Sequence, residues 1–163
     1  MSGIYKDDSW SLGKLAMNDQ EHFVRIRNSL PSAPDRELYL NLILISWTYP
    51  AGPSGLPTAE TAQLMQEFEN AIESTLEAKG LAVLAACLTG SGTKEWRYYT
   101  SDKEEFIASS MPVLKVTLHI PSECNSLLTR NGKLLPNCWQ RAPDPSRDQG
   151  PLLALNVRNR CLL

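Results

Sequence analysis

Leu38–Tyr49, LYLNLILISWTY, is the stretch that decides the fold. Leu42 to Ile45 are apolar at consecutive positions, so the segment has no solvent face at its middle. That pattern predicts a central β-strand covered by helices on at least one side. Upstream, Asn28–Arg36 carries two prolines and reads as a loop. Downstream, the Gly- and Pro-rich Pro50–Pro57 leads into a long amphipathic helix over Thr58–Lys79. Its apolar stripe is Leu64, Met65, Phe68, Ala71, Ile72, Thr75 and Leu76. Thr58 is placed to cap the first free N–H groups, and Gly80 to supply the left-handed residue beyond the end.

Two hairpins flank this unit. Trp10–Ala16 and Phe23–Arg27 alternate in polarity around the turn Met17–His22, with Phe23, Arg25 and Arg27 on one side and Val24 and Ile26 on the other. Leu81–Leu88 is a second apolar strand, and Thr89-Gly90-Ser91-Gly92-Thr93 turns it into Lys94–Thr100. Ser101-Asp102-Lys103-Glu104 has the capping-box pattern, with Ser101 as N-cap of a short helix that buries Phe106 and Ile107. The expected fold is α+β: a mostly antiparallel sheet with two helices on one face. It is an incomplete ferredoxin-like βαββα(β) core preceded by a β-hairpin.

The 163 residues carry 16 basic and 18 acidic side chains, but unevenly. Residues 1–110 hold nine basic and fifteen acidic side chains, and residues 111–163 hold seven and three. Three of the four cysteines (Cys124, Cys138, Cys161, but not Cys87) and six of the eleven prolines also lie beyond 110. Pro136–Pro151 has neither helical nor strand periodicity, and loops of that length are uncommon in compact domains. The chain therefore divides into a 1–110 domain and an irregular basic 111–163 tail. No apolar run approaches the roughly 20 residues of a membrane helix, and the polar N-terminus lacks a secretory pattern. A cytoplasmic location with reduced thiols is expected. No cysteine spacing suits zinc, and no cofactor is implied.

Several pieces in order resemble the uncharacterised bacterial family called "domain of unknown function 695". They are Trp10, the segment Phe23–Pro31, the strand Leu42–Tyr49 leading through Gly55-Leu56-Pro57, and above all Leu88–Trp96 followed by Tyr98-Tyr99-Thr100. The resemblance covers about residues 9–110. It brings no catalytic residues, and its fusion context, a domain similar to a regulator of ribonuclease E, implies a regulatory setting. Chains of that family continue with a Tyr-Pro strand and an Asp-Pro-x-Trp element, and neither is written here. Read one frame over, His119–Pro121 permits Tyr-Pro and Leu128–Lys133 permits Asp-Pro-Glu-Trp-Glu. A frameshift near Met111 and before His119 is expected, with a non-native tail after it. The alternative is a genuine C-terminus, in which Val116, Leu118 and Ile120 alternate as a strand. In the frameshifted case the last core strand is missing, its neighbour keeps an unpaired edge, and stability is marginal.

Candidate site residues are few. Thr89, Gly90 and Gly92 form a glycine-rich turn that could offer N–H groups to an anion. It lacks the Lys-Ser/Thr ending and following helix of a phosphate loop, so a plain hairpin turn is favoured. Trp96 and Tyr98 share one strand face, where aromatics can stack bases. Core packing is favoured, and the acidity of 1–110 disfavours nucleic acid. Glu69, Glu73 and Glu77 fall on one helix face and read as solvated rather than metal-binding. Cys87 reads as a buried inert thiol and His22 as a solvent-facing turn residue. No serine sits in a nucleophile elbow, and no catalytic set converges. A protein-binding or regulatory module with another protein as partner is the expected function, with no membrane role. The alternative is a small enzyme or ligand-binding domain using the sheet face around Trp96, Tyr98 and the Thr89–Thr93 turn.

Overall fold

The computed structural model describes residues 9–17, 20–29, 37–118 and 152–159. Six strands form one sheet: β1 (Trp10–Met17), β2 (Gln20–Arg27), β3 (Asn41–Thr48), β4 (Ala82–Gly90), β5 (Thr93–Thr100) and β6 (Leu152–Asn159). Helix α1 (Ala59–Ile72) follows β3 and helix α2 (Lys103–Leu118) follows β5. The spatial order is β1-β2-β4-β5-β3-β6, and every neighbouring pair is antiparallel. The fold is α+β, with β5 seated between β3 and β4 and the hairpin β1–β2 added beside β4.

Both helices cover one face. Met65, Phe68, Ile72 and Leu76 of the α1 segment and Phe106, Ile107 and Leu114 of α2 pack on Ile43, Ile45, Trp47, Leu84, Trp96 and Tyr98. Phe68 meets Trp96 and Trp47 edge-on, at centroid separations of 5.1 and 5.9 Å, the geometry aromatic quadrupoles prefer. Leu64, expected in the apolar stripe, is instead exposed at the stripe's margin.

Thr58 caps α1 as expected, its hydroxyl accepting from the Thr61 N–H at 3.2 Å. After Ile72 the helix widens into a π-helical turn, Glu73–Glu77, closed by the Ala78 N–H on the Glu73 carbonyl. Gly80 then takes φ +66° and ends the segment. At α2 the cap differs from expectation. Asp102, not Ser101, accepts from the Glu105 N–H at 2.9 Å, because the Thr100 hydroxyl accepts the Asp102 N–H and delays the first turn by one residue. The helix then runs to Leu118 through Pro112, so Val116 and Leu118 lie on a helix rather than a strand. Pro112 and Ala108 are both exposed, so the carbonyl that Pro112 cannot satisfy faces water.

The turn expected over Met17–His22 is shorter, because Met17 pairs directly with Gln20. The 111–163 segment, expected to be irregular, contributes the end of α2 and β6. β6 pairs with β3 from Asn41↔Asn159 to Thr48↔Leu152, so β3 has a partner on each side, β5 and β6. Leu153, Leu155 and Val157 are the register partners of Trp47, Ile45 and Ile43. The Pro136–Pro151 stretch, most of the Asn28–Arg36 loop, His119–Pro121, and Cys124, Cys138 and Cys161 lie outside the described residues.

Candidate functional site

Register places Arg25, Cys87, Trp96 and Ile45 in one row across β2, β4, β5 and β3. Cross-strand partners share a face, so Arg25 stands on the helix side of the sheet. Two residues on, Arg27 stands there too. Their partners come from α1 and the turn after it. Glu69 is only 4% exposed and gathers three donors: Arg25 Nη2, Lys94 Nζ at 3.4 Å and Trp96 Nε1 at 2.8 Å. The cations beside it hold its carboxyl below the usual range against the opposing effect of burial. Glu77 accepts from the Leu84 N–H at 2.6 Å and pairs with Arg27 at 3.2 Å, yet burial leaves its carboxyl raised. The Trp10 ring packs under both guanidinium groups, 4.5 Å from Arg25 and 4.7 Å from Arg27.

The helical acids expected on a solvated face are thus split, with Glu69 and Glu77 turned inward onto the hairpin. The sequence did carry a signal. Arg25 and Arg27 alternate onto the side of Phe23, where an apolar face would otherwise be expected.

Beside this cluster the helix-side face opens into a cavity of about 220 Å³. Leu12, Phe23, Arg25, Cys87, Thr89 and Lys94 line it. Lys14 lies over the Phe23 ring at 4.9 Å and pairs with Glu21 at 3.4 Å. The Cys87 thiol is buried and free, and burial pushes its pKa up to about 11, so it is neutral at pH 7.

Trp96 and Tyr98 are 0% exposed and belong to the core, and neither offers a surface for stacking. Trp96 still reaches the site from below, through its indole N–H on Glu69. Thr89 lines the cavity. Gly90 closes the β4–β5 hairpin, where an added Cβ would come within 2.7 Å of the Glu21 carbonyl oxygen. Ser91 and Gly92 both have positive φ, 51° and 74°, the two-residue type I′ turn that suits strand twist. The Gly92 N–H is already bonded to the Gly55 carbonyl at 3.0 Å, so the turn does not offer that donor to an anion. His22 is buried rather than solvent-facing, its Nε2 3.1 Å from the Ser91 hydroxyl, because β2 begins at Gln20 and Gly90 lets β4 approach the ring. No group of three or more His, Cys, Asp or Glu with metal-binding geometry occurs among the described residues. No described helix is long and apolar enough to cross a membrane.

No curated protein and no solved structure matches the chain. The core aromatics, the pinned Ser91-Gly92 turn and the strand–helix order from β1 to α2 lie within one matched segment, residues 8–125, and by that match the chain belongs to the family described as "Family of unknown function (DUF695)".

Proposed function

We propose that the chain is a protein-binding or regulatory module of the bacterial cytoplasm, docking its partner on the helix-side face of the β1–β2 hairpin. One observation carries this. The helices pack their apolar side chains on β3, β4 and β5; among the described residues Trp10 is the hairpin side chain that joins this apolar cluster, while Arg25 and Arg27 meet the helix segment through Glu69 and Glu77. Leu12, beyond the helices, is left 82% exposed, with Phe23 partly exposed beside it. Arg25 and Lys94, which share the single carboxylate of Glu69, border the pair, so the surface has an apolar centre with cations beside it and complements a partner that is apolar and anionic. A photo-reactive residue at position 12, compared with one at the exposed Gln63 of α1, tests this. Position 12 should crosslink a defined protein, and that protein, purified, should bind the Leu12→Asp variant at least tenfold more weakly by calorimetry. Undiminished binding to Leu12→Asp overturns the proposal. The alternative, a ligand held on Trp96 and Tyr98, loses its surface to their burial and moves to the adjoining cavity.

A change of reading frame, and a tail that begins beyond Leu114 rather than at residue 111, belong to the same proposal. Phe106, Ile107, Ser110, Met111 and Leu114 keep one helical face inward, so the native frame runs at least to Leu114. The family match ends at 125, before Leu128–Lys133, where the shifted frame permits the missing Asp-Pro-Glu-Trp-Glu.

A further inference from the structure

We infer that the cavity between Leu12, Phe23, Arg25 and Lys94 is a binding site for an apolar monocarboxylate. The inference rests on the binding-module proposal and names the chemical group that such a partner inserts.

Charge is the first ground. Arg25 and Lys94 share the single carboxylate of Glu69, and with the thiol of Cys87 neutral the cluster keeps one positive charge beside the cavity. Lys14 does not add to this, since Glu21 pairs with it. Among the described residues Arg25 donates from Nη2 to Glu69 and to the Cys87 sulfur at 3.4 Å, and its buried Nε has no partner. A guanidinium so incompletely engaged, in a partly desolvated setting, favours one more acceptor.

Shape and size are the second ground. The walls are the Leu12 side chain and the Phe23 ring, and the Thr89 hydroxyl supplies a further polar group. A space of about 220 Å³ exceeds the ~150 Å³ cavity that holds benzene but falls short of the ~300 Å³ at which drug-sized ligand pockets begin. One side chain with its carboxylate fits this half-open space. The shared chemistry has two sources: the C-terminal residue of a protein chain, or a free small acid.

The test titrates the full 163-residue chain by calorimetry with four probes: 3-phenylpropanoate, its amide, and a pentapeptide ending in Phe with a free or an amidated terminus. At least one acid form should bind, with its amide at least tenfold weaker. Leu12→Asp and Lys94→Gln should each weaken the acid at least fivefold, and Leu12→Asp, a surface change, keeps the fold as reference. Binding of the peptide acid supports a chain terminus as the source. Binding of 3-phenylpropanoate alone keeps the site but counts against the protein partner. Equal binding of acid and amide, insensitivity to both variants, or no binding at 10 mM overturns the inference. If no acid binds while a partner still docks through Leu12, only the module proposal survives.

Discussion

Replacing Glu69 by Gln removes one negative charge from the most buried ion cluster described and leaves its shape almost unchanged. The amide oxygen can still accept the Trp96 indole N–H, so the loss falls on Arg25 and Lys94. Removing one partner of a fully buried pair costs about 3–5 kcal/mol. Here the cations' side chains are 30% and 16% exposed and can partly rehydrate, which brings the expected cost to about 2 kcal/mol. In a chain of this length that lowers Tm by roughly 4–8 °C. Glu69→Leu also strands the Trp96 N–H in the core and should cost about 1–3 kcal/mol more. Glu77→Gln should cost under about 1 kcal/mol at pH 7, because burial already outweighs the help that Leu84 and Arg27 give the charge. The pH dependences have opposite signs. Glu69 has a lowered folded-state pKa, so its contribution is complete above the unfolded value of about 4.3 and fades as pH falls through the folded value. Glu77 has a raised one, so the wild type gains on Glu77→Gln as pH drops toward that same unfolded value. Differential scanning calorimetry from pH 7 to pH 3 reads all three variants. Glu69→Gln melting with the wild type at pH 7, or keeping its full deficit at pH 3, refutes the assigned roles.

Three further outcomes follow from the backbone and the frame. In the glycine series, Gly90→Ala should be the most damaging, since its Cβ meets the Glu21 carbonyl oxygen and the His22 ring under 3 Å; Gly92→Ala should cost about 1–2 kcal/mol for its positive φ, and Gly13→Ala should be neutral in open space. Equal melting shifts across the three would contradict the packing at the β4–β5 turn. Asp102→Ala should cost about 1 kcal/mol and Ser101→Ala almost nothing, and the reverse order would return the α2 cap to Ser101. Independent resequencing of the coding region should reveal an insertion or deletion between the codons of Lys115 and Leu118, and an intact frame there removes the frameshift.

What the sequence disclosed was local or periodic. β3 announced itself by consecutive apolar residues, α1 by its stripe and its Thr58 and Gly80 ends, and the β4–β5 turn by Gly90 and Gly92. Pairings across long separations stayed hidden. Glu69 looks like any carboxylate of a solvated helix face until Arg25, 44 residues earlier, is brought over it by the β2–β4 register. β6 has only short apolar alternation, and the strand it pairs with lies more than a hundred residues away, beyond the reach of periodicity. The candidate site was half visible. Thr89 does line the cavity and Trp96 does support it from beneath, but Leu12 carries no motif, and Arg25 and Lys94 lie in family-like segments that say nothing of their meeting at one carboxylate.

Glu69 also ties stability to recognition in a way that separates a binding site from a merely well-packed corner. Its carboxylate occupies the two cations that an incoming carboxylate would need. A ligand therefore competes with Glu69, and the site holds one positive charge where it could hold two. Glu69→Gln raises that to two while keeping the Trp96 hydrogen bond, so it should destabilise the fold and at the same time tighten the carboxylate about three- to tenfold. A unit charge about 6 Å away at an effective dielectric of 20 is worth roughly 3 kcal/mol before solvent screening, so tenfold, about 1.4 kcal/mol, is a conservative ceiling. The gain should shrink with added salt, because the ligand enters from the solvent side. A purely structural Glu69 predicts the opposite: a loosened core, a blurred cavity and weaker binding at every salt concentration. Calorimetric titration of Glu69→Gln at 15 °C, below the onset of its melting, distinguishes the two. Tighter binding alongside a lower Tm is the signature of a carboxylate that restrains its own site for the sake of the fold.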